Sequence, residues 1–347
     1  MIRRHFIQTT LGLPLLGALP ASASAAPIPD QLKTPYKLNR LVVRASEKAG
    51  TFDVKSVDCP FVCSNAGRFY MTYVGFDGTG YQTGLASSDD LVTWKPEGLI
   101  LARDPKNPVT RYNVALTWIL RENDVFSPGK LKKVNGRFLG TYHAYPSAGY
   151  EEGPAVIGLC WSEDLRHWHV DPPCLRPADG APWERGGLYK ACLVEERGTY
   201  YLFYNAKTEE KQWHEQIGVA TSPDLKTWTR HEGNPTIPNG GPGSVDEKFA
   251  SDPCVLKFGN QWAIFYYSLD AKGKARDLLA LSPDLKKATK CEGILVDVSK
   301  NPDDVDSTYA HKPSVIAKDG VLYHYYCAVS EKHGRGIGVA TSRPLAR

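Results

Sequence analysis

Charged side chains recur at comparable positions in successive parts of this chain. They are Asp58, Asp124, Lys190, Asp252 and the pair His311–Lys312, with Glu184 shortly before Lys190. Two carboxylates held at one site can act as a general acid and a general base, and their pKa values respond to nearby cations. Buried charge is costly unless it is paired or used, so this set predicts a common catalytic or binding site.

An internal repeat indicates how these residues are brought together. The pattern Ser-x-Asp-Leu-x-x-Trp begins at Ser88, Ser162 and Ser222, and shorter traces of it begin at Ser282 and Ser342. The positions 88, 162, 222, 282 and 342 give spacings of 74, 60, 60 and 60 residues. Spacings of this size are typical of proteins built from repeated structural units, and here they indicate five copies.

Each copy reads as four short antiparallel strands. A turn residue (Gly67, Gly136, Gly198, Asn260 or Gly320) separates two apolar runs, a third run leads into the Ser-x-Asp-Leu turn, and a fourth strand follows. A single four-stranded sheet cannot bury its apolar face by itself, so five such sheets are expected to pack side by side around an axis. The repeat therefore predicts a five-bladed β-propeller. The last copy lacks its fourth strand, and residues 40–44 are predicted to supply it and close the last blade.

The connections predict which face carries the function. In a propeller, the connections from strand 2 to strand 3 and from blade to blade emerge on the face where the innermost strands begin. In this sequence those connections are long and varied, at residues 99–123, 145–155, 171–187, 206–215, 231–249 and 291–310. Function is expected on this face, with the charged set pointing into the central cavity.

The N-terminus predicts export. Residues 1–26 contain Arg3-Arg4, an apolar middle and a small-residue end, which is typical of a signal peptide and resembles a twin-arginine signal. Residues 36–347 are then one catalytic propeller domain, located in the periplasm or secreted. No other stretch is long and apolar enough for a membrane span. The formal charge of +4 falls to +2 without Arg3 and Arg4, which favours neither nucleic acid nor a membrane surface.

Eight cysteines lie beyond residue 26, mostly inside apolar strand runs. They are Cys59, Cys63, Cys160, Cys174, Cys192, Cys254, Cys291 and Cys327. Free cysteine behaves as a small hydrophobe, and no pair has zinc-ligand spacing. Structural packing is expected, and an oxidising compartment leaves one or two disulfides as an alternative.

Five blades, a Ser-x-Asp-Leu turn in each and acidic residues at the inner strands resemble the five-bladed propeller glycosidases of glycoside hydrolase families 43, 32, 62, 117 and 130. The resemblance covers residues 40–347 and is closest in pattern to families 43 and 117. It implies a carboxylate base or nucleophile in blade one, where Asp58 lies. It implies a glutamic acid in blade three as general acid, where Glu184 stands six residues before Lys190 as in family 43.

The resemblance also has departures. Cys59 separates Asp58 from Pro60, so Asp58 reaches the cavity only if the strand bulges there. Gly129 replaces the family's second carboxylate, which leaves Asp124 or Asp252 to raise the pKa of the acid. His311 matches a histidine that replaces the glutamic acid in family 117, whereas in family 43 a central histidine helps hold a metal ion. No cofactor is expected to be required, and a Ca²⁺ or other divalent ion at the propeller axis is an alternative.

The substrate implied is a carbohydrate. Aromatic residues on the long loops are candidate stacking faces for sugar rings, namely Trp118, Trp183, Tyr189, Trp213 and Tyr309. Lys130, Lys190, Lys312 and Arg185 either bind an anionic sugar or phosphate or pair with neighbouring carboxylates. We expect an exo-acting, inverting glycosidase acting on plant or algal oligosaccharides. The alternatives are a glycoside phosphorylase and a non-catalytic carbohydrate-binding propeller.

Overall fold

Short strands account for nearly all of the regular structure. The computed structural model describes residues 25–209 and 213–345, and within these ranges it contains 22 strands and three 3₁₀ segments, Asp30–Leu32, Pro177–Asp179 and Pro182–Glu184. The all-β prediction is confirmed. The predicted signal peptide lies outside the described residues except for its last two positions. No helix in the described ranges is long and apolar enough to cross a membrane.

The described strands pair as five successive antiparallel groups. Two N-terminal strands are β1 (Tyr36–Lys37) and β2 (Val43–Arg44). The first group is β3 (Ser56–Asn65), β4 (Arg68–Phe76), β5 (Tyr81–Ser88) and β6 (Lys95–Leu101). The second is β7 (Ala115–Ile119), β8 (Lys133–Val134), β9 (Arg137–Ala144), β10 (Val156–Ser162) and β11 (His169–Leu175). The third is β12 (Gly187–Glu196), β13 (Thr199–Lys207), β14 (Glu215–Ser222) and β15 (Thr229–Arg230). The fourth is β16 (Phe249–Phe258), β17 (Gln261–Leu269), β18 (Ala275–Ser282) and β19 (Thr289–Lys290). The fifth is β20 (Tyr309–Lys318), β21 (Val321–Ser330) and β22 (Gly334–Thr341).

The N-terminal strands complete the fifth group. Val43 and Arg44 of β2 pair with Ile337 and Gly336, and β1 pairs with the other end of β22. The predicted pairing of residues 40–44 with the last copy is confirmed. It covers the edge that β22 would otherwise expose, because an unpaired strand edge carries unsatisfied N–H and C=O groups.

The inner strands β3, β7, β12, β16 and β20 contact one another in that order, and β20 contacts β3. Single parallel bridges, such as Glu215 to Phe249, join the last three groups into one hydrogen-bonded sheet of 13 strands, beside sheets of five and four strands. The fold is therefore all-β and propeller-like. Apolar side chains packed between neighbouring groups form its core.

Arg121 fills the axis at one end. Its side chain is buried, and its guanidinium donates to the carbonyls of Val62 in β3 and Val315 in β20, each at 2.7 Å. The rings of Phe61 and Trp118 stack near it. Burial lowers the pKa of Arg121, while nearby thiols such as Cys254 oppose that shift. One side chain thus ties the first inner strand to the last.

The Ser-x-Asp-Leu segments form a repeated turn at the opposite face from the long loops. In the second copy, Ser162 Oγ accepts the N–H groups of Leu165 (2.9 Å) and Asp164 (3.2 Å), and Asp164 Oδ1 accepts two further backbone N–H groups. The leucine has φ of 67° there and 62–65° in three other copies. A residue with positive φ is strained, so these side-chain acceptors explain why Ser and Asp recur in the pattern.

Candidate active site

Bulges at the start of four inner strands bring consecutive residues to one cavity. The ladder shifts register between Asp58 and Phe61, and equivalent shifts occur in β12, β16 and β20. At each shift one residue has positive φ, namely Cys59, Lys190, Asp252 and Lys312. A bulge breaks the alternation of side chains, which allows both Asp58 and Cys59 to reach the cavity. The bulge that the sequence required for Asp58 is present.

The cavity lies where the inner strands begin, on the long-loop face. Its lining residues are Asp58, Cys59, Val74, Tyr81, His143, Tyr145, Glu151, Tyr189, Lys190, Glu215, Asp252, Tyr267 and Lys312. Its volume is about 20 Å³, which suits one water molecule rather than a sugar ring. Glu151, on the connection between β9 and β10, lines it, and the hydroxyl of the neighbouring Tyr150 donates to Asp58 Oδ2 at 3.4 Å.

Asp58 is a carboxylate whose charge is compensated. Oδ2 accepts from Lys312 Nζ at 3.0 Å and from Arg335 Nη1 at 2.8 Å, and Oδ1 accepts the backbone N–H of Cys59 at 2.8 Å. Burial alone would raise the pKa of Asp58, but the two cations outweigh burial and hold this pKa well below its usual range. Asp58 is therefore a fixed anion and a weak base.

Glu215 is a carboxylate held by neutral donors. Oε1 accepts from the Tyr189 hydroxyl (2.5 Å) and Trp213 Nε1 (2.7 Å). Oε2 accepts from Ser251 Oγ (2.6 Å), Asn205 Nδ2 (2.9 Å) and the Tyr267 hydroxyl (3.3 Å). Among the described residues, no Lys or Arg lies within ion-pair distance of it. Its orientation is fixed, and no adjacent cation cancels its charge.

The carboxyl group of Glu151 has a different environment from those of Asp58 and Glu215. Its Oε1 accepts from the Tyr81 hydroxyl at 3.4 Å and lies 3.9 Å from Lys312 Nζ. Burial, opposed by the charge of Lys312 and assisted by the carboxylates of Glu215, Asp58 and Asp252, raises the pKa of Glu151 to about 7. Near neutral pH this carboxyl group is present in both its protonated and its ionised form, as a general acid requires.

Two polar groups of the cavity wall lack a complete set of partners among the described residues. Asp252 Oδ1 lies 3.0 Å from Ser251 Oγ, whose one hydrogen is directed to Glu215 at 2.6 Å, and the buried Oδ2 of Asp252 accepts no hydrogen bond. Burial raises the pKa of Asp252 to about 6. Lys190 is 5% exposed, and its ammonium has no partner among the residues that the structure describes. The Lys190 backbone N–H donates to His143 Nδ1 at 3.2 Å, so the neutral ring carries its hydrogen on Nε2.

The structure does not bring every predicted residue to this cavity. Glu184 lies in the 3₁₀ segment Pro182–Glu184, where its carboxylate pairs with Arg230 at 3.0 Å and accepts the Ala181 N–H. Asp124 and Lys130 are exposed, and Asp124 is bridged to Lys257 through the backbone. These positions correct the expectation that Glu184, Asp124 and Lys130 face the axis.

The predicted aromatic residues also separate into two groups. Tyr189 lines the cavity, and Trp213 donates to Glu215 while its ring lies 3.7 Å below Lys207 Nζ. Trp118 is buried against Phe61, and Trp183 stacks on Tyr204, so both serve packing. Of the predicted cations, Lys312 pairs with Asp58, and Arg185 donates to the Gly180 carbonyl.

His311 is buried beside the cavity rather than lining it. Its Nδ1 donates to the Cys327 carbonyl at 3.0 Å, and the rings of Tyr267 and Tyr309 pack edge-on against it. Burial and the charges of Arg335 and Lys312 lower the pKa of His311 to about 3. The imidazole is neutral at physiological pH, and its one N–H is donated to the Cys327 carbonyl, so it does not serve as a general acid.

The residues at the axis do not fit a divalent cation. Within the described ranges, no three His, Cys, Asp or Glu side chains are arranged to hold a metal ion. The inner-strand position that holds Asp252 in β16 holds Lys190 in β12 and Lys312 in β20, and lysine cannot ligate Ca²⁺.

All eight cysteines are free, and burial raises the pKa of Cys59 to about 12.

Sequence reasoning missed Glu151 and Glu215, although both lie on connections assigned to the functional face. The 60-residue period offers a signal for Glu215, because Arg335 stands two periods later and also reaches the cavity. Glu151 has no such equivalent. Its connection contains Gly149 and Gly153 with positive φ and follows no repeat.

The propeller-like fold and the cavity with four carboxylates define a protein of the glycoside hydrolase type. This protein belongs to the family described as glycosyl hydrolases family 32 N-terminal domain, whose model matches residues 123–301, about half of the sequence. Family 32 is one of the five that the sequence resembles.

Individual proteins of known sequence or structure are also similar to this chain. A solved structure of a BT0996 RGII complex has a TM-score of 0.78 and 32% identity, covering 92% of this chain and 94% of that one. A levanase of Bacillus subtilis (strain 168) is 29% identical over 44% of this chain. A 1,2-beta-oligomannan phosphorylase of Thermoanaerobacter sp. (strain X514) is 24% identical over 44% of this chain. The matches span 22% of the levanase and 44% of the phosphorylase.

Proposed function

We propose that this protein is an exported glycosidase that cleaves an oligosaccharide in the central cavity of a five-bladed propeller. The observation that carries the proposal is the meeting of Glu151 and Glu215 in one cavity. Glu151 has a pKa of about 7, whereas Glu215 is a carboxylate held by neutral donors, with no ion-pair partner among the described residues. Glycoside hydrolysis needs such a pair, one protonated and one ionised.

The proposed roles follow from the charges. Glu151 protonates the leaving oxygen. Glu215 faces the positive charge that develops on the sugar, because its negative charge is not cancelled by a neighbouring cation, and it acts as base or nucleophile. Asp58 is already neutralised by Lys312 and Arg335, so it holds these cations in place and keeps the pKa of Glu151 high.

The unpartnered groups would bind sugar hydroxyls. A hydroxyl can accept a hydrogen bond from Lys190 and donate one to Asp252 Oδ2, whereas a sugar carboxylate at that point would be repelled by Asp252. Because the cavity is too small for a sugar ring, the connection carrying Tyr150 and Glu151 must move outward to admit substrate. Its return would place the acid on the bound sugar and exclude water.

The test uses the purified protein from residue 25 and a panel of neutral and acidic oligosaccharides. Glu151→Gln and Glu215→Gln should each lower kcat by about 10²–10⁴-fold. Asp58→Asn tests the competing assignment of the base. Glu184→Gln is the matched control, since it removes a buried carboxylate outside the cavity. Loss of turnover in Glu184→Gln, with activity retained in the other two glutamate variants, would overturn the proposal.

Exo-action, inversion and export are further parts of the proposal. The anomer released first, followed by proton NMR, distinguishes inversion from retention. Culture fractionation with and without residues 1–26 tests export to the periplasm or medium. A protein that remains in the cytoplasm with these residues intact contradicts the export proposal.

Phosphorolysis is the second candidate. The unpartnered ammonium of Lys190 favours it, because a phosphate needs a cation, and one relative is named a phosphorylase. The other two cations, Lys312 and Arg335, are already bound to Asp58, which favours hydrolysis. Product formation that requires inorganic phosphate and yields a sugar phosphate would establish phosphorolysis.

A further inference from the structure

A groove of about 520 Å³ opens beside the cavity, between the N-terminal segment and the fifth strand group. Five cationic side chains line it, namely Arg40, Arg44, Lys55, Lys332 and Arg335. Glu47 is its single carboxylate within the described residues. The groove therefore presents an excess of positive charge.

Arg335 connects the groove to the cavity wall, because it lines the groove and bonds to Asp58. This residue lies at the start of β22, and its Nη1 donates to Asp58 Oδ2 at 2.8 Å. Lys55 immediately precedes β3, and Lys332 lies in the turn between β21 and β22, so both belong to the face on which the inner strands begin. Arg335 therefore stands between the cavity wall and the groove, on the same face of the molecule.

Most of this charge is uncompensated. Lys332 pairs with Asp303 at 2.7 Å and Arg335 with Asp58. Arg40, Arg44 and Lys55 are exposed, and their side chains have no hydrogen-bond or ion-pair partner in the described part of the chain. Three free cations against Glu47 leave a net charge of about +2 for binding a ligand.

We propose that this groove binds the uronate-bearing part of an acidic oligosaccharide whose terminal sugar occupies the cavity. This inference rests on the proposed function and names its substrate class. Guanidinium groups match the planar geometry of carboxylates, and exposed cations lose little solvation on binding them. The cavity takes a neutral sugar through Lys190 and Asp252, and the acidic residues of the substrate lie outside it.

The binding test compares oligogalacturonate with its methyl-esterified form, which has the same linkages and no charge. The triple variant Arg40→Ser, Arg44→Ser, Lys55→Ser should bind oligogalacturonate at least about tenfold more weakly by calorimetry. Binding of the esterified form should be unchanged. Added salt should weaken wild-type binding to oligogalacturonate, and weaken that of the variant less. Glucuronate and mannuronate oligomers extend the panel to other uronates.

The matched control removes three exposed lysines from the opposite face, as Lys226→Ser, Lys286→Ser and Lys287→Ser. Equal losses in both triple variants would show affinity for any polyanion and overturn the proposal. Absence of charge-dependent binding to all three uronate oligomers would overturn it as well, as would equal groove-dependent binding of single-stranded DNA. If hydrolysis fails while groove-dependent uronate binding persists, only the proposed function falls. If hydrolysis stands and the groove variant binds normally, only this inference falls.

Discussion

Two glutamates in one cavity differ because their neighbours differ. Glu215 accepts hydrogen bonds from phenol, indole, amide and alcohol groups, which hold it without adding charge. Glu151 lies close to Lys312 and faces three other acidic groups in a buried site, and its pKa is raised to about 7. A buried carboxyl group whose pKa is raised to near 7, close to a second carboxylate, is the usual candidate for the general acid.

The pH dependence of turnover tests this assignment. A general acid must carry its proton, so kcat/KM should fall above about pH 7, by tenfold per pH unit once Glu151 is ionised. The profile is measured with a substrate from the active panel, and Glu184→Gln should keep the same alkaline limb. A rate that stays flat to pH 9 would contradict Glu151 as the acid.

Sequence alone predicted part of this site. Asp58, Asp252, Lys190 and Lys312 open inner strands, and their position in the repeat was enough to place them at the cavity. Glu184 was misplaced because its spacing from Lys190 resembles a family motif, whereas the local chain turns into a 3₁₀ segment and the carboxylate pairs with Arg230. The irregular connection that carries Glu151 has no counterpart in the other copies, so spacing could not locate it.

Bulges and turns determine where side chains of the repeated strands point and how consecutive strands are connected. The positive φ values at Cys59, Lys190, Asp252 and Lys312 aim side chains into the cavity, and those at the turn leucines close the third strand onto the fourth. The repeat made the turns predictable, because Ser and Asp recur wherever their oxygens accept backbone N–H groups. The bulges are less predictable from the sequence. A proline follows the bulged residue in three inner strands, at Pro60, Pro253 and Pro313, but Lys190 is followed by an alanine.

The turn in the second strand group provides an element-scale prediction. Ser162→Ala leaves the buried N–H of Leu165 without its acceptor, and should lower the free energy of unfolding by about 1–3 kcal/mol. Glu163→Ala is the matched control, because Glu163 is the exposed neighbour in the same turn. Chemical denaturation of both variants measures the difference. Equal stabilities would show that the Ser162 hydroxyl contributes little.

At the scale of the whole molecule, the N-terminal segment joins the ends of the chain. Leu32 and Val43 are buried, and β1 and β2 cover β22. The repeat predicted this arrangement because the fifth copy stops after three strands. The blade count stays a prediction, because three separate hydrogen-bonded sheets make up the described fold.

Truncation tests how far stability depends on that segment. A protein starting at residue 45 loses three buried apolar side chains, Ile28, Leu32 and Val43, and the outer strands of the fifth group, so its free energy of unfolding should fall by at least about 3 kcal/mol. Thermal unfolding is compared with a protein starting at residue 25. Unchanged melting temperatures would mean that β22 tolerates an open edge.

Arg121 also determines how substrate and product can move along the axis of the molecule. Its guanidinium binds the carbonyls of Val62 and Val315, which lie a few residues further along β3 and β20 than Asp58 and Lys312, or roughly 10 Å deeper. The central cavity is therefore closed at the Arg121 end and opens on the face where the inner strands begin. A released sugar must leave by the route through which the substrate came, so each turnover should require complete dissociation at the mouth, and added product should compete with substrate for the free enzyme.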